Sequence, residues 1–339
     1  MAIKSDNTQG NPYHDEGTGQ FTSSTGGGQS NKEDLVKESD LGSLFASADE
    51  DFSDFWNEVD STIKEKESQP KSIDDMSTQE LLNGINETEE RLKSKYVIVC
   101  DQGFTEVFNH DLKLTYANLQ KMNELFSKYN MSAEEMLFYK DPKHKSVATV
   151  AYIMDPTLSD DSVLFSVNTK LILNPAYFNS YDSTKEYVKK RIEEGFFSDV
   201  LEGNFSCRTI IHESGHILFN SIFIQDLRSD YLNAQINDMK TQAYLPVNLY
   251  ETYEEKNKFA SNIRKQYAEK YRKEIYNIYK SDNPNALNYI DFCRSISGYG
   301  GSNSFEWFSE VFTQANGGKP TQISNAMEKF LKMKGAIKQ

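Results

Sequence analysis

Between Cys207 and Phe223 the chain sets His212-Glu213-Ser214-Gly215-His216 inside an otherwise apolar run. Ile210, Ile211, Ile217, Leu218, Ile222 and Phe223 form the body of a buried helix, expected from about Ser206 to Phe223. On a helix, positions i and i+4 stand one turn apart on one face, so both imidazoles reach one Zn2+ at ~2.0–2.1 Å. Glu213 projects about 100° round the helix, where it can reach a water at that metal without ligating it. The chain has five histidines. A chance match to this pattern is therefore expected in roughly one such sequence in a hundred or fewer, and metal binding is favoured over two ordinary helix histidines.

A zinc hydrolase takes a third protein ligand and keeps one position for water. The extended form of the motif, with a Gly and a third His further along the helix, fails because Phe219 and Ile222 occupy those places. His14 falls in a polar tail, and His110 and His144 have no motif around them. A carboxylate is left, and the best placed is in Phe305-Glu306-Trp307-Phe308-Ser309-Glu310-Val311-Phe312. Two like charges at i and i+4 on an apolar helix are expensive unless a cation neutralises them. Glu306 is expected to ligate, and Glu310 to accept the outer ring N–H of a ligand histidine. The alternative is a solvated helix face.

Composition bounds the rest. The net charge of −14 is uneven, because residues 1–95 hold 9 Lys/Arg and 21 Asp/Glu. The remainder is nearly neutral and has no basic stripe, so a nucleic-acid partner is not expected. No apolar run is long enough for a membrane span, and the amino terminus lacks the apolar segment of a secretory signal. Cys100, Cys207 and Cys293 are far apart and odd in number, which suits reduced, mostly buried thiols of a protein made in a cytosol.

The pattern along the chain predicts an α+β fold with a little β in the middle and a helical carboxy-terminal half. Residues 1–45, with Gly26-Gly27-Gly28, are expected to be a disordered tail. Residues 46–76 are expected to hold a short acidic helix and a linker, Phe52, Phe55, Trp56, Val59 and Ile63 lying on one helix face. That face suits either a cap on the main domain or a docking helix for a partner. Residues 77–339 form the main domain, with a catalytic core at about 145–335. Capping boxes at Ser77/Glu80, Ser132/Glu135 and Ser183/Glu186 predict three helix starts, the last helix ending at Gly195. Residues 112–129 and 132–139 read as helices. Tyr96–Cys100, Val147–Met154 and Val163–Leu173 read as strands, the last able to pair with an extended substrate. Phe259, Ile263, Tyr267, Tyr271, Ile275 and Tyr279 stripe a long helix, and two more helices are expected near 304–315 and 322–334.

The motif followed by an aromatic-rich Glu-x-x-x-Glu helix resembles the gluzincin peptidases, and particularly the family of the anthrax lethal factor catalytic domain. In that family a tyrosine stands seven residues before the third ligand and an asparagine three before it. Tyr299 and Asn303 hold those places here, in Ser297-Gly-Tyr-Gly-Gly-Ser-Asn-Ser-Phe-Glu306. The resemblance covers about residues 180–335 and implies a zincin-like fold, bound zinc and a peptide or protein substrate. It places Tyr299 at the oxyanion and Asn303 behind the ligands. Glycines at 298, 300 and 301 would let the backbone approach the site; the alternative for Tyr299 is a core role among 19 tyrosines. One departure is the 90-residue separation of His216 and Glu306, longer than the family's spacing, with the excess assigned to the helix at 253–280.

Asn11-Pro-Tyr-His-Asp-Glu-Gly-Thr-Gly-Gln-Phe-Thr-Ser is similar to amino-terminal tails of tailed-phage head and morphogenesis proteins, and residues 317–331 to the end of zincin-like domains in phage genomes. These likenesses imply a phage or prophage origin, a host-cytoplasmic or virion-associated location, and virion head proteins as partners of the arm. The function expected is zinc-dependent peptide hydrolysis. The competing expectation is a virion-associated structural protein that keeps a zincin fold without protease activity.

Overall fold

The structure, a computed structural model, describes residues 71–96, 98–100, 103–131, 136–140, 148–159, 162–173, 177–241 and 253–338. The tail and the aromatic-striped helix expected before residue 71 lie outside them. The chain divides into two units, Met1–Met76 and Ser77–Gln339. Of the first, residues 71–76 are described and form a single 3-10 turn, Ile73–Asp75. The second holds every helix and strand named below.

Helix α1 (Thr78–Tyr96) opens on the expected box: the Ser77 N–H donates to Glu80 Oε2 at 2.6 Å and the Glu80 N–H to Ser77 Oγ at 3.3 Å. Leu81, Ile85 and Leu92 bury its inner face against α3 (Leu112–Lys128). Between them come strand β1 (Ile98–Cys100) and a single helical turn, α2 (Phe104–Val107). The predicted strand at Tyr96–Cys100 is thus shorter than expected, because Tyr96 still belongs to α1.

The segment expected to be a helix at 132–139 is in part a strand, β2 (Met136–Lys140); Ser132 and Glu135 lie outside the described residues. A short run such as Met136-Leu-Phe-Tyr has no period that separates helix from strand. Tertiary pairing decides it, since β2 lies in the sheet interior, parallel to β1 on one side and to β4 (Ser162–Leu173) on the other. Strand β3 (Ala148–Ser159) then pairs antiparallel with β4, from Ala148 opposite Leu173 to Ser159 opposite Ser162. The order is β1-β2-β4-β3. Both edges of β4 are therefore occupied, and it cannot pair with a substrate as expected; among the described strands the margin on that side of the sheet belongs to β3.

Helices dominate the rest of the chain. α4 (Tyr181–Glu193) is capped by Ser180, with Ser183 as the third helical residue and not the cap. Gly195 ends it as predicted, in the left-handed region at φ +68°, where a side chain would be strained. α5 (Arg208–Thr241) carries the histidine motif and runs well past Phe223. α6 (Tyr253–Asp282) is the predicted long striped helix, followed by α7 (Tyr289–Arg294), α8 (Ser304–Gly317) and α9 (Gln322–Met333). One apolar core joins Phe219 and Phe223 of α5, Tyr271 and Ile275 of α6, Trp307 and Phe312 of α8, and Phe330 of α9. α6 is therefore part of the body and not an appendage. Cys100 and Cys207 are buried and Cys293 is half-buried, all as free thiols. Among the described residues no helix is long and apolar enough to cross a membrane.

Candidate metal centre

α5 and α8 cross at the motif. Gly215 makes the crossing close: a Cβ placed on it would stand 3.0 Å from Ser309 Cα and 3.2 Å from Phe312 Cδ1. Each helix thus presents one face to the other at van der Waals distance, with His212 and His216 flanking the contact on α5 and Glu306 and Glu310 on α8.

The facing side chains converge on one point. Glu306 Oε2 lies 3.1 Å from His212 Nε2 and 3.4 Å from His216 Nε2, and the two imidazole centroids are 4.9 Å apart. One donor atom from each residue falls within 4.8 Å of the others. A tetrahedron with ligands at ~2.0–2.1 Å has edges of about 3.3 Å, so these separations suit a four-coordinate zinc-sized ion. Two nitrogens and one carboxylate oxygen also match the donors that ion takes. The residues fit the metal. His110, by contrast, is on the surface beside Glu106, away from this cluster.

Behind His212 stands Glu310, fully buried. Its Oε1 lies 2.8 Å from His212 Nδ1 and pairs with the Arg208 guanidinium. Its Oε2 accepts the Ser198 backbone N–H at 2.6 Å and the Ser297 hydroxyl at 2.9 Å. Burial favours a neutral Glu310 carboxyl, but Arg208, His212 and the Ser198 N–H outweigh it and keep the group ionised, below the usual carboxylate range. Burial likewise pushes Glu306 up, and His216 and His212 pull it well below its ordinary value. For His212 burial pushes down, yet the Glu306 and Glu310 carboxylates raise it to about 10. Two carboxylates thus face the ring, Glu306 at Nε2 and Glu310 at Nδ1.

Glu213 is buried one position along from His212. Tyr299 reaches the cluster from a loop, its ring centroid 5.6 Å from that of His212. Two backbone bonds hold that loop to the turn after α4: Gly298 N–H to Gly195 O at 2.9 Å and Tyr299 N–H to Phe196 O at 3.0 Å. Phe196 packs on the Tyr299 ring at 5.4 Å. Burial, with the Glu306 and Glu213 carboxylates nearby, raises the Tyr299 phenol far above its ordinary value, so it keeps its proton as a donor. Of the three glycines around it, Gly300 has a steric reason, since a Cβ there would stand 3.2 Å from Glu310 Cβ; at Gly301 there is open space. Asn303 caps α8, its Oδ1 accepting the Phe305 and Glu306 N–H groups at 3.0 Å each, and so fixes the turn that carries Glu306.

Six of the seven residues singled out from the sequence gather in one place; Asn303, expected behind the ligands, is exposed at the start of α8 and meets the cluster only through the Glu306 backbone N–H. Three further contributors come only from the structure. Ser198 and Ser297 lie in loops whose path no local pattern reveals. Arg208 could have been found, because a cation four residues before His212 on an apolar helix shares its face. Comparison of the chain with family models, with curated proteins and with solved structures returns no match.

Proposed function

We propose that this chain is a zinc-dependent endopeptidase of gluzincin type with a zincin-like catalytic domain, holding one Zn2+ through His212, His216 and Glu306. The observation that carries the reading is the convergence of three donor atoms from two crossing helices, with a second carboxylate behind His212. A zinc ion bound there supplies a Lewis acid that polarises the scissile carbonyl and acidifies the attacking water. Glu213 accepts the proton of that water and returns it to the leaving amine. Tyr299, its phenol held protonated, donates to the oxyanion of the tetrahedral intermediate. Glu310 fixes His212 so that Nε2 carries the lone pair toward the ligand position. An extended substrate would align on the margin of β3, with which no other described strand pairs on that side. The terminal segments alone favour a phage or prophage setting.

Mass-spectrometric profiling of a peptide library tests the reading, with wild type beside Glu213→Gln. Wild type should cleave a defined set of bonds, and the variant should lose about 10²–10⁴-fold in rate. If the two proteins leave the library equally intact, the centre is structural and the protein is a binding component.

A further inference from the structure

Arg208 is one of the largest fully buried side chains among the described residues, 2% exposed in the first turn of α5. A buried guanidinium needs a reason. Its partners form a line: the Phe197 ring centroid lies 3.7 Å from the guanidinium carbon, Glu310 Oε1 is paired to Nη2, and the same Oε1 lies 2.8 Å from His212 Nδ1. Ser198 N–H and Ser297 Oγ donate to Oε2, and Arg208 donates to Oε1. His212 Nδ1 stands 2.8 Å from that same Oε1. Of the three donors only Arg208 carries a permanent charge.

We infer that Arg208 is a positioning residue of this centre. From one helical turn ahead of His212, it pins the Glu310 carboxylate in the orientation that faces the ring. The inference rests on the metal reading above. It extends that reading, because Arg208 is not one of the three donors and reaches them through Glu310, with Phe197 stacked on its guanidinium.

The test measures zinc affinity, by competition with a chromophoric chelator, and the visible spectrum of the cobalt(II)-substituted protein. Arg208→Met, Arg208→Lys, Glu310→Gln and the double variant Arg208→Met/Glu310→Gln are compared with wild type. Arg208→Met should weaken zinc binding by about 10–100-fold, the range for loss of an outer partner of a ligand histidine, and should alter the cobalt bands. Arg208→Lys, which keeps the charge but not the planar fork, should fall between the two. In the Glu310→Gln background, Arg208→Met should cost nothing further. Wild-type affinity and an unchanged cobalt spectrum in Arg208→Met would overturn the inference while leaving the metal site standing. Should Arg208→Met not fold, the neutral double variant decides: an additional loss beyond Glu310→Gln overturns the claim that Arg208 acts through Glu310. Wild-type protein that takes up no zinc removes the metal reading, and this inference with it.

Discussion

Gly215 on α5 and Ser309 on α8 touch where the two ligand-bearing helices cross, a Cβ on the glycine standing 3.0 Å from Ser309 Cα. Each sits between the pair of functional residues on its own helix, so this contact sets the gap across which His212, His216 and Glu306 meet. A backbone atom cannot swing aside as a flexible side chain can.

Gly215→Ala is therefore expected to force α5 and α8 apart by a few tenths of an ångström. Overpacking of this kind costs about 1–3 kcal/mol, against a gain in helix propensity of about 1 kcal/mol. The variant should melt a few degrees lower and bind zinc more weakly, as read by thermal denaturation and chelator competition. A variant with higher stability and unchanged affinity would show that the crossing has room to spare.

Tyr299→Phe removes one hydroxyl from a loop otherwise held by backbone bonds to Gly195 and Phe196. Its kcat should fall about 10²–10³-fold, the usual effect of losing an oxyanion donor, with zinc content unchanged. Wild-type kcat would reduce Tyr299 to a packing residue on Phe196.

The metal-free protein should depend on pH in a defined way. His212 is raised from 6.5 to about 10, so its stabilising contribution is fully present below pH 6.5 and is lost as pH rises through about 10. Glu306 and Glu310 are lowered from 4.5, so theirs is present above pH 4.5 and is lost as pH falls through their native values. Melting temperature in the presence of chelator should be highest between about pH 4.5 and 6.5 and decline toward pH 10. Glu306→Gln, which takes away one of the two carboxylates facing the ring, should flatten the alkaline decline. A melting temperature that rises from pH 6.5 to 10 contradicts the placement of His212 between two carboxylates.

Local chemistry made much of this legible in the sequence. The Ser77/Glu80 box, the stripe that ends in Tyr271, Ile275 and Tyr279, and the helix stop at Gly195 are decided within a few residues. So is the spacing of His212 with His216 and of Glu306 with Glu310, because one helical turn fixes it. The features that escaped depend on partners distant in the chain. Met136–Lys140 is a strand because β1 and β4 flank it, and β4 is interior because β3 folds back along it. Ser183 looked like a cap, but Ser180 opens the helix and Ser183 only completes its box. Arg208 carries a local sign, its place one turn before His212 on an apolar helix, but its partner Glu310, 102 positions away, is supplied only by the fold.

Metal analysis of the purified protein bears most directly on the central claim, that His212, His216 and Glu306 hold one zinc ion. Wild type should carry close to one zinc per chain, and His212→Ala should lose most of it. Stoichiometry well below one in wild type, and unchanged by His212→Ala, would contradict the claim.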